Sequence, residues 1–393
     1  MARVICLCRM TPTNSATPAA ASPTFRSGLE GVIAAETRLS KVEGDVGRLT
    51  IAGYAVQDLA PRASFEAVVQ LLLHDRLPDA AAEESFRAAI AGQRALDPVT
   101  LGLLRQAAAA QAAPIDALRL GLAALCAGGA PSPERLLGAL PSVVAAYARL
   151  QAGLEPLPVA ASLGSAAHFL YQLRGKRAEP HAERALETYW NTVADHGLNA
   201  STFTARVIAS TGSDLGSAIA GALGALKGPL HGGAPGPALA ALLALRAAPG
   251  DLAENTRRWV RAELAAGRRI LGFGHRVYRV RDPRADVLRE AAAVLLEGSD
   301  LLASAELHEA AVLETLRQEK PGREIATNVE FYTALLLHGL GFEPALFTSI
   351  FALGRAAGWI AHVAEQNARG RLIRPDALYV GAEGRQLRAT SQA

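Results

Sequence analysis

Two histidines of this chain sit in glycine-rich turns, His231 in Gly228-Pro229-Leu230-His231-Gly232-Gly233 and His275 in Gly272-Phe273-Gly274-His275-Arg276. Glycine on either side lets a backbone approach a ligand closely and take φ values that other residues avoid, so each imidazole can be presented at the edge of a cleft. A polar run, Asn328-Val329-Glu330, adds a carboxylate. Two imidazoles and a carboxylate are the parts of an acid/base site. The arginines extend it. Arg355 lies among Phe351, Leu353, Ala356, Trp359 and Ile360 on an otherwise apolar helix, and a charge there calls for a buried anion. Arg284 follows Asp282-Pro283, which also reads as an ordinary helix start. The histidines at 74, 168, 181, 308, 338 and 362 have neither a glycine turn nor a ligand pattern and are expected to be structural or exposed.

The elements that must position these groups follow from size and pattern. The chain has 393 residues, 50% hydrophobic and 20% charged. That predicts a globular protein with a large core and more than one domain. Lys+Arg 40 against Asp+Glu 37 leaves a net charge of +3, too balanced for a basic nucleic-acid-binding face, so the arginines are better taken singly as ligands for small anions. Cys6, Cys8 and Cys126 offer neither a disulfide framework nor paired metal-ligand spacing, which predicts a reducing compartment and no metal. Residues 1–25 have no acidic residue and no periodic apolar face, and are expected to be a disordered tail. No charge-free apolar stretch reaches bilayer-spanning length, so a soluble protein without a membrane partner is expected.

A short β hairpin, with strands at 36–40 and 48–52 around Glu43-Gly44-Asp45 and Gly47, precedes helices that run to the end. The helical period predicts helices starting near Phe65 and near 80–94, 115–126, 132–151, 159–174, 180–195, 201–225, 236–246, 251–265, 283–297, 301–318, 327–340 and 344–366. Gly, Pro, Asp and Ser separate them. No strand–helix alternation suggests a nucleotide-binding sheet. Gly221, Gly224 and Lys227 lack the phosphate-loop pattern and read instead as a helix-packing glycine pair. The fold class is all-α.

These segments resemble the citrate synthase family. The resemblance rests on Asp195-His196-Gly197-Leu198-Asn199-Ala200-Ser201-Thr202, Leu226-Lys227-Gly228-Pro229-Leu230-His231-Gly232-Gly233-Ala234, Gly272 to Tyr278 leading to Asp282-Pro283-Arg284, and Asn328-Val329-Glu330-Phe331-Tyr332, in the family's order and at similar spacing. It extends from about Gly28 to Gly381. It implies a two-domain helical fold: a large domain over 26–231 and 334–393, a small domain over 232–333, the active site in the cleft and a homodimer as the working unit. By similarity Glu330 is the base that deprotonates acetyl-CoA, His231 donates to the enol oxygen, and His275 protonates the carbonyl oxygen of oxaloacetate. Arg284, Arg355 and Arg374 match the family's carboxylate-binding positions, the last reaching across the dimer interface; His196 matches a further substrate contact, and Arg279 and Arg323 match positions that meet coenzyme A phosphates. The implied product is citrate, in the cytoplasm, with no cofactor beyond the acyl-CoA substrate itself.

Two departures bear on this. The family motif reads Asn-Val-Asp where this chain has Glu330, and the extra methylene moves the carboxylate by roughly a bond length when a ~1 Å misplacement can cost about a hundredfold. Gly197 stands where the family has Glu, removing a charge beside His196 and loosening its orientation. We take Glu330 as a working base. The alternatives are 2-methylcitrate synthesis from propionyl-CoA, since one methyl is worth only ~1–3 kcal/mol in a pocket, and a noncatalytic paralogue that binds oxaloacetate or acyl-CoA.

Overall fold

The computed structural model describes residues 25–232 and 235–386. The expected tail therefore lies, Phe25 apart, outside the described residues. Two compact units result, one of residues 37–373 and one joining the described residues 25–36 to 374–386.

The larger unit opens with strands β1 (Ser40–Glu43), β2 (Arg48–Ile51) and β3 (Tyr54–Ala55) in one antiparallel sheet of that order. The sequence places β1 four residues too early and misses β3, which is only two residues long. The observed register, Ser40 opposite Ile51 and Glu43 opposite Arg48, makes Gly44 to Gly47 the turn. Helices follow: α1 (Val56–Leu59), α2 (Phe65–His74), α3 (Ala80–Ala91), α4 (Pro98–Ala109), α5 (Pro114–Cys126), α6 (Pro133–Gln151), α7 (Ser165–Arg174), α8 (Pro180–Val193), α9 (Ala200–Ala209), α10 (Leu215–Leu226), α11 (Pro235–Ala247), α12 (Leu252–Ala265), α13 (Pro283–Leu295), α14 (Asp300–Glu319), α15 (Val329–Gly339) and α16 (Phe347–Arg369). The all-α expectation holds for the described residues.

Local chemistry explains where they begin. Ser64, Asp79, Asp97, Ser132, Asn199, Asp214, Asp251, Asp282, Ser299 and Asn328 each accept a hydrogen bond from an amide in the first turn of the following helix, satisfying donors that have no partner within the helix. Asp214 is why the single helix expected over 201–225 is two. α10 packs on α9 through Gly221, where an added Cβ would lie 2.2 Å from Ile208 Cδ1, whereas Gly224 has nothing within 4 Å. Only one member of the expected glycine pair serves packing, and Lys227 pairs with Asp116 at 2.7 Å.

The core centres on α16, which packs against α2, α5, α6, α8, α9 and α10. It is apolar and long enough to cross a membrane, with mean hydropathy 1.3 over its best window, yet 89% of that window is buried within the protein. Trp359 from α16 and Trp190 from α8 are fully buried, and Phe65 and Phe169 pack on Trp190 with ring centroids 5.1 and 5.7 Å away. Gly354 and Gly358 let α16 approach α8 closely: a Cβ at Gly358 would stand 2.1 Å from the Ala194 carbonyl oxygen. The chain leaves α8 at that contact and continues into Asp195 and His196.

In the smaller unit, Ser27–Leu29 form a 3-10 turn. Tyr379 donates its hydroxyl to the Ala382 carbonyl at 2.8 Å.

Candidate active site

His196 follows a buried polar chain. Asp195, fully buried, accepts from Ser40 Oγ at 2.5 Å and lies 3.0 Å from His362 Nε2; His362 Nδ1 is 3.1 Å from Arg206, which is paired with Glu365 at 2.6 Å. Ser40 in β1 also accepts the Gly197 amide at 2.8 Å. Gly197 has φ of +58°, a conformation open to glycine at little cost. The glycine expected to loosen His196 is thus held by its own amide. The His196 ring is enclosed, with Nε2 3.1 Å from the Tyr278 hydroxyl, and desolvation pushes its pKa well below the usual value.

His275 and Glu330 come from two segments laced together. Gly272 and Gly274 have φ of +87° and +81°, and the turn they form pairs with the residues before α15. The Gly274 amide donates to Ala326 at 2.7 Å, the Asn328 amide to Gly272 at 3.0 Å, and Asn328 Nδ2 to the Gly274 carbonyl at 2.8 Å. Asn328 Oδ1 accepts the Glu330 amide at 2.9 Å, and its Nδ2 lies 3.5 Å from Glu330 Oε2. Glu330 is half-buried in the first turn of α15. Burial raises its pKa, partly offset by the nearby Arg284 charge.

The tautomer of His275 is set by its neighbours. Nδ1 accepts from the amides of Val277 and Tyr278, both at 3.0 Å, so in the neutral ring the proton is on Nε2. Desolvation brings its pKa down to about 4, and the Arg284 charge adds to this, which keeps the ring neutral at pH 7. Nε2 lies 3.4 Å from Arg284 Nη2. Both are donors, so they converge on a position that an acceptor oxygen would fill.

Arg284, 4% exposed, is fixed by Asp282, which accepts its Nε at 3.0 Å and its Nη2 at 2.7 Å and also takes the Val329 amide at 3.2 Å. One buried carboxylate thereby ties the starts of α13 and α15 together. Arg355, 2% exposed, donates Nε to the Val193 carbonyl at 2.5 Å, and its guanidinium lies 4.8 Å from the Phe351 ring centroid. Burial lowers its pKa to about 10. The two guanidinium groups lie within electrostatic reach of each other and of His196.

His231 completes the group. Its Nε2 lies 2.9 Å from Ser201 Oγ and 3.4 Å from the Ser201 amide; the amide can only donate, which makes Nε2 the acceptor and leaves the proton on Nδ1. Desolvation, with the Arg355 charge second, brings its pKa down to about 4. Ser201 is fully buried at the start of α9; its one hydroxyl proton is shared between His231 Nε2 and Asn199 Oδ1, the latter 2.8 Å away, and its oxygen accepts from Trp359 Nε1 at 3.2 Å.

The structure therefore gathers His196, His231, His275, Arg284, Glu330 and Arg355 around one locus. The remaining sequence candidates are exposed. Arg279 is exposed and paired with Asp45 at 2.9 Å, Arg323 is exposed after α14, and Arg374, in the smaller unit, is exposed 3.5 Å from Asp376. Ser201, Tyr278 and Asp282 also shape the site, and their only signal in the sequence is membership of the quoted segments. Of the other histidines, His168, His308 and His362 are buried and His74 and His181 exposed. Among the described residues no group of three His, Cys, Asp or Glu side chains is placed to hold a metal ion.

Comparison with known proteins bears on the family and the fold. Residues 28–376 match the family model described as citrate synthase, C-terminal domain. A citrate synthase of Haloferax volcanii is 39% identical over 371 residues, covering 91% of this chain and 96% of that protein. A 2-methylcitrate synthase of Mycobacterium tuberculosis is 37% identical, covering 94% and 93%. Among solved structures, a ternary complex of citrate synthase from Thermoplasma acidophilum with carboxymethyl coenzyme A and oxaloacetate superposes with a TM-score of 0.84 at 27% identity, covering 93% of this chain and 98% of that one. The citrate synthase of Pyrobaculum aerophilum gives 0.81 at 34%, covering 92% and 93%. Motif order, helical architecture, convergent imidazoles and guanidiniums, and similarity over nine-tenths of the length coincide, and the chain belongs to the citrate synthase family.

Proposed function

We infer that this protein condenses acetyl-CoA with oxaloacetate and hydrolyses the resulting thioester, yielding citrate and free CoA. The observation that carries the inference is the donor pair of His275 Nε2 and Arg284 Nη2, 3.4 Å apart, beside a second buried arginine. That is the complement of a 2-oxo dicarboxylate: two guanidinium groups for its carboxylates and an imidazole N–H for its ketone oxygen.

The steps follow from this chain's side chains. A thioester methyl is a weak carbon acid, so its proton leaves at a useful rate only if the developing enolate oxygen is stabilised. Glu330, made more basic by burial, takes the proton, and the Nδ1–H of His231 donates to the thioester oxygen. The nucleophilic carbon then bonds to the ketone carbon of oxaloacetate, whose oxygen receives the proton of His275 Nε2. Water finally cleaves the C–S bond, leaving a new carboxylate and the CoA thiol, while Glu330 releases its proton to solvent and the His275 imidazole takes one back. Both imidazoles act as neutral donors, as pKa values of about 4 require.

The inference includes a homodimer in which Arg374 completes the site of the neighbouring copy, a small domain over 232–333 that closes on the dicarboxylate, contacts from Arg279 and Arg323 to CoA phosphates, a cytoplasmic location, and no cofactor. Propionyl-CoA is the alternative acyl donor, favoured by the similarity to a 2-methylcitrate synthase. The test is release of CoA thiol from acetyl-CoA and from propionyl-CoA in the presence of oxaloacetate. Faster release from acetyl-CoA supports the first reading and faster release from propionyl-CoA the second; no release from either, with oxaloacetate still raising Tm, leaves only the noncatalytic binding reading.

A further inference from the structure

Helix α16 carries Arg355, Trp359, His362 and Gln366 at spacings of four, three and four residues, which sets them along one face of the helix. All four are buried, and each has a hydrogen-bond partner: the Val193 carbonyl for Arg355, Ser201 for Trp359, Asp195 for His362 and Arg206 for Gln366. Of these partners, Ser201 alone touches an imidazole of the condensation chemistry, that of His231.

A serine hydroxyl has one proton to give and two lone pairs. At Ser201 the Trp359 indole N–H, which can only donate, takes one lone pair at 3.2 Å. That leaves one lone pair and the proton for two neighbours, His231 Nε2 at 2.9 Å and Asn199 Oδ1 at 2.8 Å. Asn199 is itself oriented. Its Oδ1 takes the Thr202 amide at 3.2 Å, while its Nδ2 donates to the Gly197 carbonyl at 3.3 Å and to Thr202 Oγ1 at 3.0 Å, so its oxygen is the atom that faces Ser201. The Ser201 amide faces His231 Nε2 at 3.4 Å and opposes a proton there. The indole thus pins the hydroxyl oxygen where it reaches the imidazole, and the helix behind the indole stands close against α8 at Gly358.

We propose that Trp359 is a positioning residue for His231: through Ser201 Oγ, its indole N–H holds the imidazole in the tautomer that carries its proton on Nδ1. The proposal rests on the reading of His231 as donor to the thioester oxygen. Without the indole N–H, the Ser201 oxygen has a second free lone pair and no anchor. It then turns its proton to Asn199 and accepts from His231 Nε2 in part of the molecules, where the imidazole proton is on the wrong nitrogen.

The test compares Trp359→Phe, Ser201→Ala and the double variant in the full-length protein, with kcat and the oxaloacetate KM read from thiol release. Trp359→Phe is expected to lower kcat about tenfold, the scale of one misdirected hydrogen bond. The oxaloacetate KM should change by less than about twofold, since the lost interaction is not one that binds this substrate. In the Ser201→Ala background the same substitution should cost no further kcat. A purely structural role would add its loss in both backgrounds and disturb Arg355, one turn away on the same helix, raising KM. A second readout needs no turnover: the imidazole nitrogen resonances of histidine-labelled protein, with His231→Gln identifying those of His231. They should show Nδ1 protonated in the wild type and Nε2 protonated in part of the Trp359→Phe protein. If the wild type releases no thiol, the condensation reading falls and the resonances still decide the tautomer. Should Trp359→Phe fail to fold, benzothienylalanine at position 359 keeps the bicyclic shape and removes the N–H. The proposal is overturned by unchanged kcat, by a rise in KM matching the loss in kcat, by an equal kcat loss with and without Ser201, or by a His231 tautomer that does not respond.

Discussion

Gly44, far from the reacting groups in sequence, is expected to control turnover. It lies in the β1–β2 turn against the loop that follows His275, where it accepts the Arg279 amide at 3.1 Å. A Cβ added at Gly44 would stand 2.1 Å from the Val277 carbonyl oxygen and 2.8 Å from its carbon. Real contacts essentially never fall below 3.0 Å, so in Gly44→Ala the turn and the loop must separate by about 0.9 Å. The same loop supplies the Val277 and Tyr278 amides that hold His275 Nδ1, and the Tyr278 hydroxyl beside His196. A shift of that size in groups that orient a reacting imidazole lowers kcat by about a hundredfold, with an overpacking cost of ~1–3 kcal/mol in stability. Gly53→Ala is the control. Gly53 has φ of +88° but nothing within 4 Å of the added Cβ, so that variant carries backbone strain of ~1–2 kcal/mol and leaves turnover alone. The assay is steady-state thiol release, with Tm measured alongside. Equal kcat for Gly44→Ala and wild type, or an equal kcat loss in both variants at matched stability, would refute the coupling of turn to imidazole.

Glu330→Gln keeps size and removes the base, so turnover should fall by roughly 10²–10⁴-fold while oxaloacetate still raises Tm; undiminished turnover would remove Glu330 from the mechanism. Arg355→Leu should raise the oxaloacetate KM by roughly 30- to 5,000-fold, the equivalent of losing ~2–5 kcal/mol from a buried charge pair; an unchanged KM would assign Arg355 to the core alone. The pH dependence of kcat/KM should show a one-proton acid limb above pH 4.5. Glu330 is raised from 4.5 and works deprotonated, so activity is present above its pKa and lost as pH falls through it, before the imidazoles at about 4 take up protons. A limb below 4.5, or one of two protons, would contradict that assignment.

The sequence announced the histidine turns because glycine and proline mark them, and the helices because their apolar period is strong. It concealed what depends on pairing at a distance. Ser201 and His231 are 30 residues apart, and a serine next to a helix start ordinarily reads as a cap. The tie from His362 to Asp195 spans 167 residues, and nothing local marks it. α4 is hidden in the sequence because its alanine-rich second half presents little contrast between faces, although Asp97-Pro98 is a sound start. Glu43 beside Gly44-Asp45 reads as turn-forming, yet it pairs with Arg48 across the sheet, so β1 lies closer to the turn than the pattern suggests. Arg355 was legible for the opposite reason: one charge on an apolar helix stands out.

The position of α16 in the chain has a consequence for biosynthesis. Its helical neighbours α2, α5, α6, α8, α9 and α10 all precede it. As the polypeptide leaves the ribosome, the stretch that most resembles a membrane span among the described residues emerges after the cradle that receives it has been synthesised. Because segments are made from the N-terminus onward, its greasy surface is exposed for the shortest time when the nascent protein is most open to aggregation. An artificial rearrangement that moved this helix to the front would keep every final contact and forfeit that protection.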